Sequence, residues 1–449
     1  MKKKLFGTDG IRGKANQYPI TPEIAMLVGK ATAKVLGGGS GHKRVVLGKD
    51  TRISGYMLEN AITSGLLSMG MDVLAVGPMP TPAVAHLTRS MGAVCGIMIT
   101  ASHNPACDNG IKIFAEDGFK LPDSVEFEIE KEMLEGTLAE EGVPCENIGK
   151  AYRIEDARGR YIEYAKGSIQ NLSLRGLRIV LDCANGAAYS IAPLIFRELG
   201  AEVIETAVRP DGLNINDGCG ALYPENIGRL VREHRADAGI ALDGDADRVI
   251  FCDANGEEVN GDRIIGMLAL AYQRERKLAS DTIVVTGMSN LGLMRAMKQA
   301  GINVEVTDVG DRYVIERMRG GSFNVGGEQS GHIIFMDYAT TGDGIISALH
   351  VLKLMKQTGK PLAELAGFMN VFPQEIRSFG VARKTPFAEL SRLPAEIDAC
   401  REALGESGRT IVRYSGTENK IRILVEAEQS DDVRVWIERL SAAAREELN

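Results

Sequence analysis

The sequence predicts an α/β fold class: three similar α/β domains with mixed, largely parallel sheets and a C-terminal α+β domain, four domains around a central cleft. Three observations predict it. The 449 residues are several times the roughly 150 of a typical domain. A layout of strand, helix, strand and a last strand running into a polar loop occurs three times. After about residue 368 that layout gives way to a different one.

In the first repeat a strand over 44–48 leads to a helix closing at Met69-Gly70, a strand over 71–76, a strand over 96–100 and the loop Ala101-Ser102-His103-Asn104-Pro105. The second runs through 177–181, a helix closing at Leu199-Gly200, 201–205 and 238–242 into Asp243-Gly244-Asp245-Ala246-Asp247-Arg248. The third runs through 282–286, a helix closing at Ala300-Gly301, 302–307 and 323–326 into Gly327-Glu328-Gln329-Ser330-Gly331-His332. The last segment reads as a strand over 374–382, a helix over about 387–404, a hairpin turning through Arg413–Asn419 and a helix from Asp431. The expected domains are 1–155, 156–253, 254–367 and 368–449. In sheets of this kind ligands sit beyond the carboxyl ends of strands, where all three repeat loops lie.

Composition excludes several classes. Apolar residues at 44% and charged residues at 25% are ordinary for a globular chain. No apolar run reaches the ~18 residues of a membrane span, and Gly7-Thr8-Asp9-Gly10 interrupts the basic opening where a signal peptide needs apolar residues; a cytoplasmic protein with no membrane partner is expected. Seven scattered cysteines without a C-x-x-C pair read as reduced thiols. A net charge of -8 with no basic run argues against a nucleic-acid partner.

The loops carry the chemistry. Asp243, Asp245 and Asp247 alternate with small residues, so the chain can curl around one hard cation, magnesium by preference, and leave coordination sites open for a phosphate. Ser102 follows five apolar residues in a tight turn, as an exposed nucleophile must; a nearby dication would polarise a phosphorus bound to it. No phosphate-cradling nucleotide motif is present. Arg413, Ser415, Gly416, Thr417 and Arg422 form a hairpin nest for a phosphate. Glu328 and Ser330 suit a vicinal diol, while His332 reads either as a ligand beside them or as a satisfied core histidine. Arg12, His103 and Lys112 are candidates for steering charge and protons around the serine.

Taken together, Thr100–Pro105, Asp243–Arg248, Gly327–His332 and Arg413–Thr417 with Arg422 resemble, in order, the phosphoserine, metal, sugar and phosphate loops of the α-D-phosphohexomutase superfamily, over nearly the whole chain. Phe6–Gly13, Met288–Leu293 and Gln329 make it most similar to the bacterial branch that interconverts glucosamine 6-phosphate and glucosamine 1-phosphate on the way to UDP-N-acetylglucosamine. The resemblance implies phospho-Ser102, one Mg2+ per subunit, a bisphosphorylated hexosamine as intermediate and activator, a hexosamine phosphate as small-molecule partner, and a homodimer. Tyr414 and Asn419 depart from the prolines frequent in the family's phosphate loop. A phosphomannomutase or phosphoglucomutase is the nearest alternative; a non-catalytic sugar-phosphate sensor would need neither Ser102 nor three aspartates.

Overall fold

A computed structural model of the chain describes residues 3–7, 9–37, 43–415 and 419–448. Each repeat folds into a sheet with the same four-strand order. In the first the order is Asp108–Ala115, Cys95–Ile99, Arg44–Lys49, Asp72–Pro78; in the second Val249–Asp253, Ala238–Leu242, Arg178–Asp182, Glu202–Thr206; in the third Ile333–Phe335, Val325–Gly327, Thr282–Thr286, Asn303–Thr307. The last three strands of each set run parallel. The first of each set is an antiparallel return, which the repeat pattern alone did not reveal.

The returns matter for function. Each loaded loop leaves the carboxyl end of a central strand and re-enters the sheet at once, so both of its ends are anchored. The central strands are fully buried, as at Cys95–Ile99 and Ala238–Leu242, because helices cover both faces and favour continuous apolar runs over alternation. Phe6–Gly7, Gly10–Lys14 and Ala151–Arg153 extend the first sheet, and Glu258–Val259 extends the second.

The chain divides into two compact units, one reaching Met288 and including Gly301–Phe368, the other made of Ser289–Ala300 and everything from Met369. The second unit has an antiparallel sheet in the order Gln374–Gly380, Lys420–Ala427, Gly408–Tyr414. Helices Arg392–Leu404 and Ser430–Leu448 pack on it around Ile421, Ile423, Val425, Trp436 and Leu440. Helix Leu291–Gln299, read in sequence as part of the third repeat, belongs to this unit. Its N-cap Asn290 donates to the Phe372 carbonyl at 3.0 Å, and Glu426 accepts from the Leu291 amide at 2.7 Å. These bonds satisfy donors that a helix start leaves open.

Candidate active site

In the first unit, Ser102 and the acidic loop meet. Ser102 is buried, and its hydroxyl donates to Asp243 Oδ2 at 2.7 Å. His103 Nδ1 lies 3.4 Å from the same oxygen. Burial first, then the nearby Arg248 and Arg12 cations, push the His103 imidazole down to about 4, so it is neutral near pH 7. The turn is unusual in its backbone: Ser102 has a φ of +52°, a left-handed conformation that costs an L-residue roughly 1–2 kcal/mol. Gly244 of the acidic loop fits against it because it has no side chain; a Cβ there would lie 2.6 Å from the Ser102 carbonyl oxygen.

The acidic side chains are arranged among cations. Asp245 Oδ2 accepts from Thr81 Oγ1 at 2.6 Å and from Lys112 Nζ at 2.9 Å. Lys112 is also 3.4 Å from Asp247 and 3.2 Å from Asp9. Asp9 pairs in turn with Arg12 and Lys120, and Lys120 reaches Asp311 at 2.5 Å. Burial opposes the charge on Lys112, but Asp245, Asp9 and Asp247 outweigh it and raise the ammonium's pKa. The carboxylates respond unequally. Burial and its two acidic neighbours hold Asp243 well above the usual range, whereas Lys112 and His332 overcome burial at Asp247 and hold it well below. Two carboxylates so close cannot ionise with equal ease.

Do these residues fit a metal ion? Asp243, Asp245 and Asp247 each offer an oxygen, all within 4.8 Å of one another, and all three residues are buried. Asp245 Oδ1 and Asp247 Oδ1 are buried without a hydrogen-bond partner. Buried carboxylate oxygens are rarely left so, and a hard dication is the partner their chemistry selects.

Lys112 sits on the return strand Asp108–Ala115, and its ammonium pairs with Asp245 and Asp247 of the acidic loop and with Asp9. His332 is buried, with Nδ1 3.6 Å from Asp247 Oδ1 and Nε2 accepting the Gly342 amide at 3.0 Å and 3.5 Å from Asp311 Oδ2. Its acidic neighbours outweigh burial and raise its basicity. Glu328 and Ser330, by contrast, stand at the loop surface, 3.5 Å apart. The loop is fastened by the Val249 amide to Gly331 and the Gly261 amide to Gln329, both at 3.0 Å.

In the second unit, Arg413 and Arg422 are directly opposite in the hairpin register, with Ser378 next in line on the neighbouring strand. Ser415 is buried, its amide donating to the Lys420 carbonyl at 2.8 Å. Tyr414 stacks on Phe387 and donates to the Thr385 carbonyl at 2.6 Å, which anchors the strand end that a proline would otherwise stiffen. Gly416 and Thr417 lie outside the described residues.

Models of the three α/β/α domains and the C-terminal domain of phosphoglucomutase/phosphomannomutase match residues 3–140, 159–256, 260–372 and 375–443. A relative named phosphoglucosamine mutase from Syntrophotalea carbinolica is 53% identical over 96% of this chain and 95% of its own. One of the same name from Pelobacter propionicus is 51% identical over 99% of both. The chain belongs to the phosphoglucomutase/phosphomannomutase family. Solved structures share the fold. A phosphoglucomutase/phosphomannomutase family protein from Burkholderia thailandensis, 23% identical, matches with a TM-score of 0.82 over 99% of this chain and 98% of that one. An Aspergillus fumigatus N-acetylphosphoglucosamine mutase in complex with GlcNAc-6P and magnesium, 20% identical, matches with 0.69 over 100% and 96%.

For a member of this family, the sequence reading missed two residues that hold the serine loop. Arg52 Nη2 donates to the carbonyls of Ser102 at 3.2 Å and Asn104 at 2.6 Å, and Asn216 Nδ2 donates to the same two at 2.9 and 3.0 Å. The only signal in the sequence was Asp50-Thr51-Arg52 directly after the first strand of its repeat, at the carboxyl end where ligands gather in such sheets.

Proposed function

We propose that the chain interconverts glucosamine 6-phosphate and glucosamine 1-phosphate through phospho-Ser102 and a glucosamine 1,6-bisphosphate. The observation that carries this is the 2.7 Å bond between the Ser102 hydroxyl and Asp243 in a buried three-carboxylate cluster. Its support is the full-length similarity, 53% and 51% identical, to proteins named phosphoglucosamine mutase.

In the first half-reaction a free sugar hydroxyl attacks phospho-Ser102. The serine O–P bond breaks as the sugar O–P bond forms, and the proton lost by the sugar hydroxyl is regained by the Ser102 oxygen. In the second half the bisphosphate presents its other phosphate, the Ser102 oxygen takes that phosphoryl group, and a proton returns to the sugar oxygen. Neutral His103 lies where it can hold a proton during either exchange. Arg12 contributes positive charge there. Asp243, Asp245 and Asp247 would hold Mg2+, which when bound neutralises phosphate oxygens and polarises phosphorus. Glu328 and Ser330 grip sugar hydroxyls, and Arg413, Ser415, Gly416, Thr417 and Arg422 hold the phosphate that is not being transferred. Lys112 favours the ionised form of Asp247, and His332 orients Asp247.

A coupled assay on glucosamine 6-phosphate tests the reading, with Ser102→Ala expected to abolish turnover. Residual activity near the wild-type level would overturn it, and faster turnover of mannose or glucose phosphates would move the assignment to another member of the family. The same resemblance leads us to place the enzyme in the cytoplasm as a homodimer, which light scattering would report as twice the 48.4 kDa chain mass.

A further inference from the structure

The phosphoserine cycle leaves Ser102 bare for half of each turnover. While the residue carries phosphate, the phosphate's own contacts help to fix the turn. Once the group has left, a left-handed φ of +52° must be maintained by the protein, because the ordinary backbone regions are lower in energy for serine. If the turn relaxed, the hydroxyl would no longer be aimed when the bisphosphate came back.

The carbonyls of Ser102 and Asn104 converge on two donors from different parts of the first unit. Arg52 follows strand Arg44–Lys49; it is fully buried, and its charge is matched by Asp50, which also accepts the Arg52 amide at 2.9 Å. Asn216 comes from the second repeat, between Glu202–Thr206 and Pro224–His234, and its own amide donates to the Ala184 carbonyl at 2.9 Å. Each side chain bridges the same pair of carbonyls, one from a planar guanidinium and one from a planar amide, so four hydrogen bonds fix the Ser102–His103 and Asn104–Pro105 peptide planes. From the front, the Ser102 amide donates to Thr100 Oγ1 at 2.9 Å.

We propose that Arg52 and Asn216 are positioning residues that hold the unphosphorylated serine in its reactive turn, and so set the rate at which the bisphosphate rephosphorylates the enzyme. This rests on the mutase reading above. Neither residue needs to touch the sugar, so their loss should appear in kcat and leave KM alone.

Two variants test it. Asn216→Gly removes the donor without straining residue 216, whose own φ is +59°. Arg52→Lys keeps a cation beside Asp50, but a point donor cannot reproduce the fork whose Nη1 holds Asp50 while Nη2 reaches both carbonyls. Dephosphorylated enzyme is mixed with glucosamine 1,6-bisphosphate, and the gain of phosphate on residue 102 is followed by rapid quench and intact-protein mass spectrometry. Steady-state constants on glucosamine 6-phosphate are measured in parallel. The expected result is a fall of about 10- to 100-fold in loading rate and kcat, the scale of a misplaced reacting group, with KM unchanged. The double variant should fall no further than the worse single one, because the two donors act as a unit.

Loading at the wild-type rate in Asn216→Gly would overturn the proposal; that variant buries no unmatched charge and decides the matter if Arg52→Lys fails to fold. A loss confined to the amount of folded enzyme, with the rate per active site intact, would make the pair ordinary scaffolding and overturn it equally. Should wild-type enzyme take no phosphate at residue 102, the mutase reading itself falls and the inference falls with it.

Discussion

Around Asp245 buried and half-buried charges alternate in sign: Asp245 and Asp247 against Lys112, Lys112 against Asp9, Asp9 against Lys120 and Arg12, Lys120 against Asp311. On the hairpin of the C-terminal unit, like charges stand side by side, Arg413 across from Arg422 on the face away from the helices. The first arrangement is compensated before any ligand arrives, and compensation is what permits burial, since a lone buried ion is strongly disfavoured. The second is tolerated because Arg422 is exposed to water, and cross-strand repulsion of this kind is worth only about 0.2–1 kcal/mol. In the function proposed above, the first would act on a phosphoryl group and the second would hold a phosphate.

Breaking the first arrangement should have the larger effect. Asp245→Ala takes a counter-charge from buried Lys112 and the acceptor from Thr81, and removing one partner of a buried pair costs about 3–5 kcal/mol. We expect a matching drop in the urea midpoint by circular dichroism, together with loss of turnover. A variant as stable as wild type would mean that Lys112 finds full compensation in Asp9 and Asp247.

The second arrangement should respond in the opposite sense. Arg422→Ala removes a like-charge neighbour, so the C-terminal unit should hold its stability or gain about 0.2–0.5 kcal/mol, while KM for the sugar phosphate rises. The chain's single tryptophan makes this measurable: Trp436 lies in the core of that unit, so its fluorescence reports local unfolding there. A clear loss of stability on that signal would show that Arg422 is structural, and an unchanged KM would remove it from the phosphate nest.

How much of this was legible in the sequence follows from where the information lies. The acidic triplet and the serine turn are consecutive residues, so their chemistry could be read as written. Mixed, largely parallel sheets with a shared strand order could be anticipated from the three layouts, but not which strands return antiparallel, because each return begins only after a polar loop. Lys112 could be read only as a cation near the serine; strand pairing with Cys95–Ile99 gives it partners on a loop more than a hundred residues away. Asp9, Lys120 and Asp311 became partners only through folding. Arg52 and Asn216 bind backbone carbonyls, and a carbonyl has no sequence signature.

A pH-dependent effect sharpens the comparison within the first unit, where buried His350 has no counter-charge. His350 is 3% exposed, stacked on Phe335 with ring centroids 5.1 Å apart, and 3.2 Å from Tyr272 Oη through Nδ1; Nε2 is buried without a partner. Burial first, then Lys353 and Lys277, push its pKa down to about 3, against an unfolded value of about 6.5. Between those values the unfolded chain takes up a proton and the folded chain does not, so this histidine's contribution is complete above about pH 6.5 and is lost as pH falls toward 3. His350→Phe keeps a ring in the stack and removes the proton site. Its stability relative to wild type should therefore improve as the pH is lowered from 7 to 4, by at most about 1.4 kcal/mol per pH unit, in urea midpoints measured at each pH. A constant difference across that range would mean that the imidazole takes its proton in place, and that this pocket, like the acidic site, can compensate a buried charge.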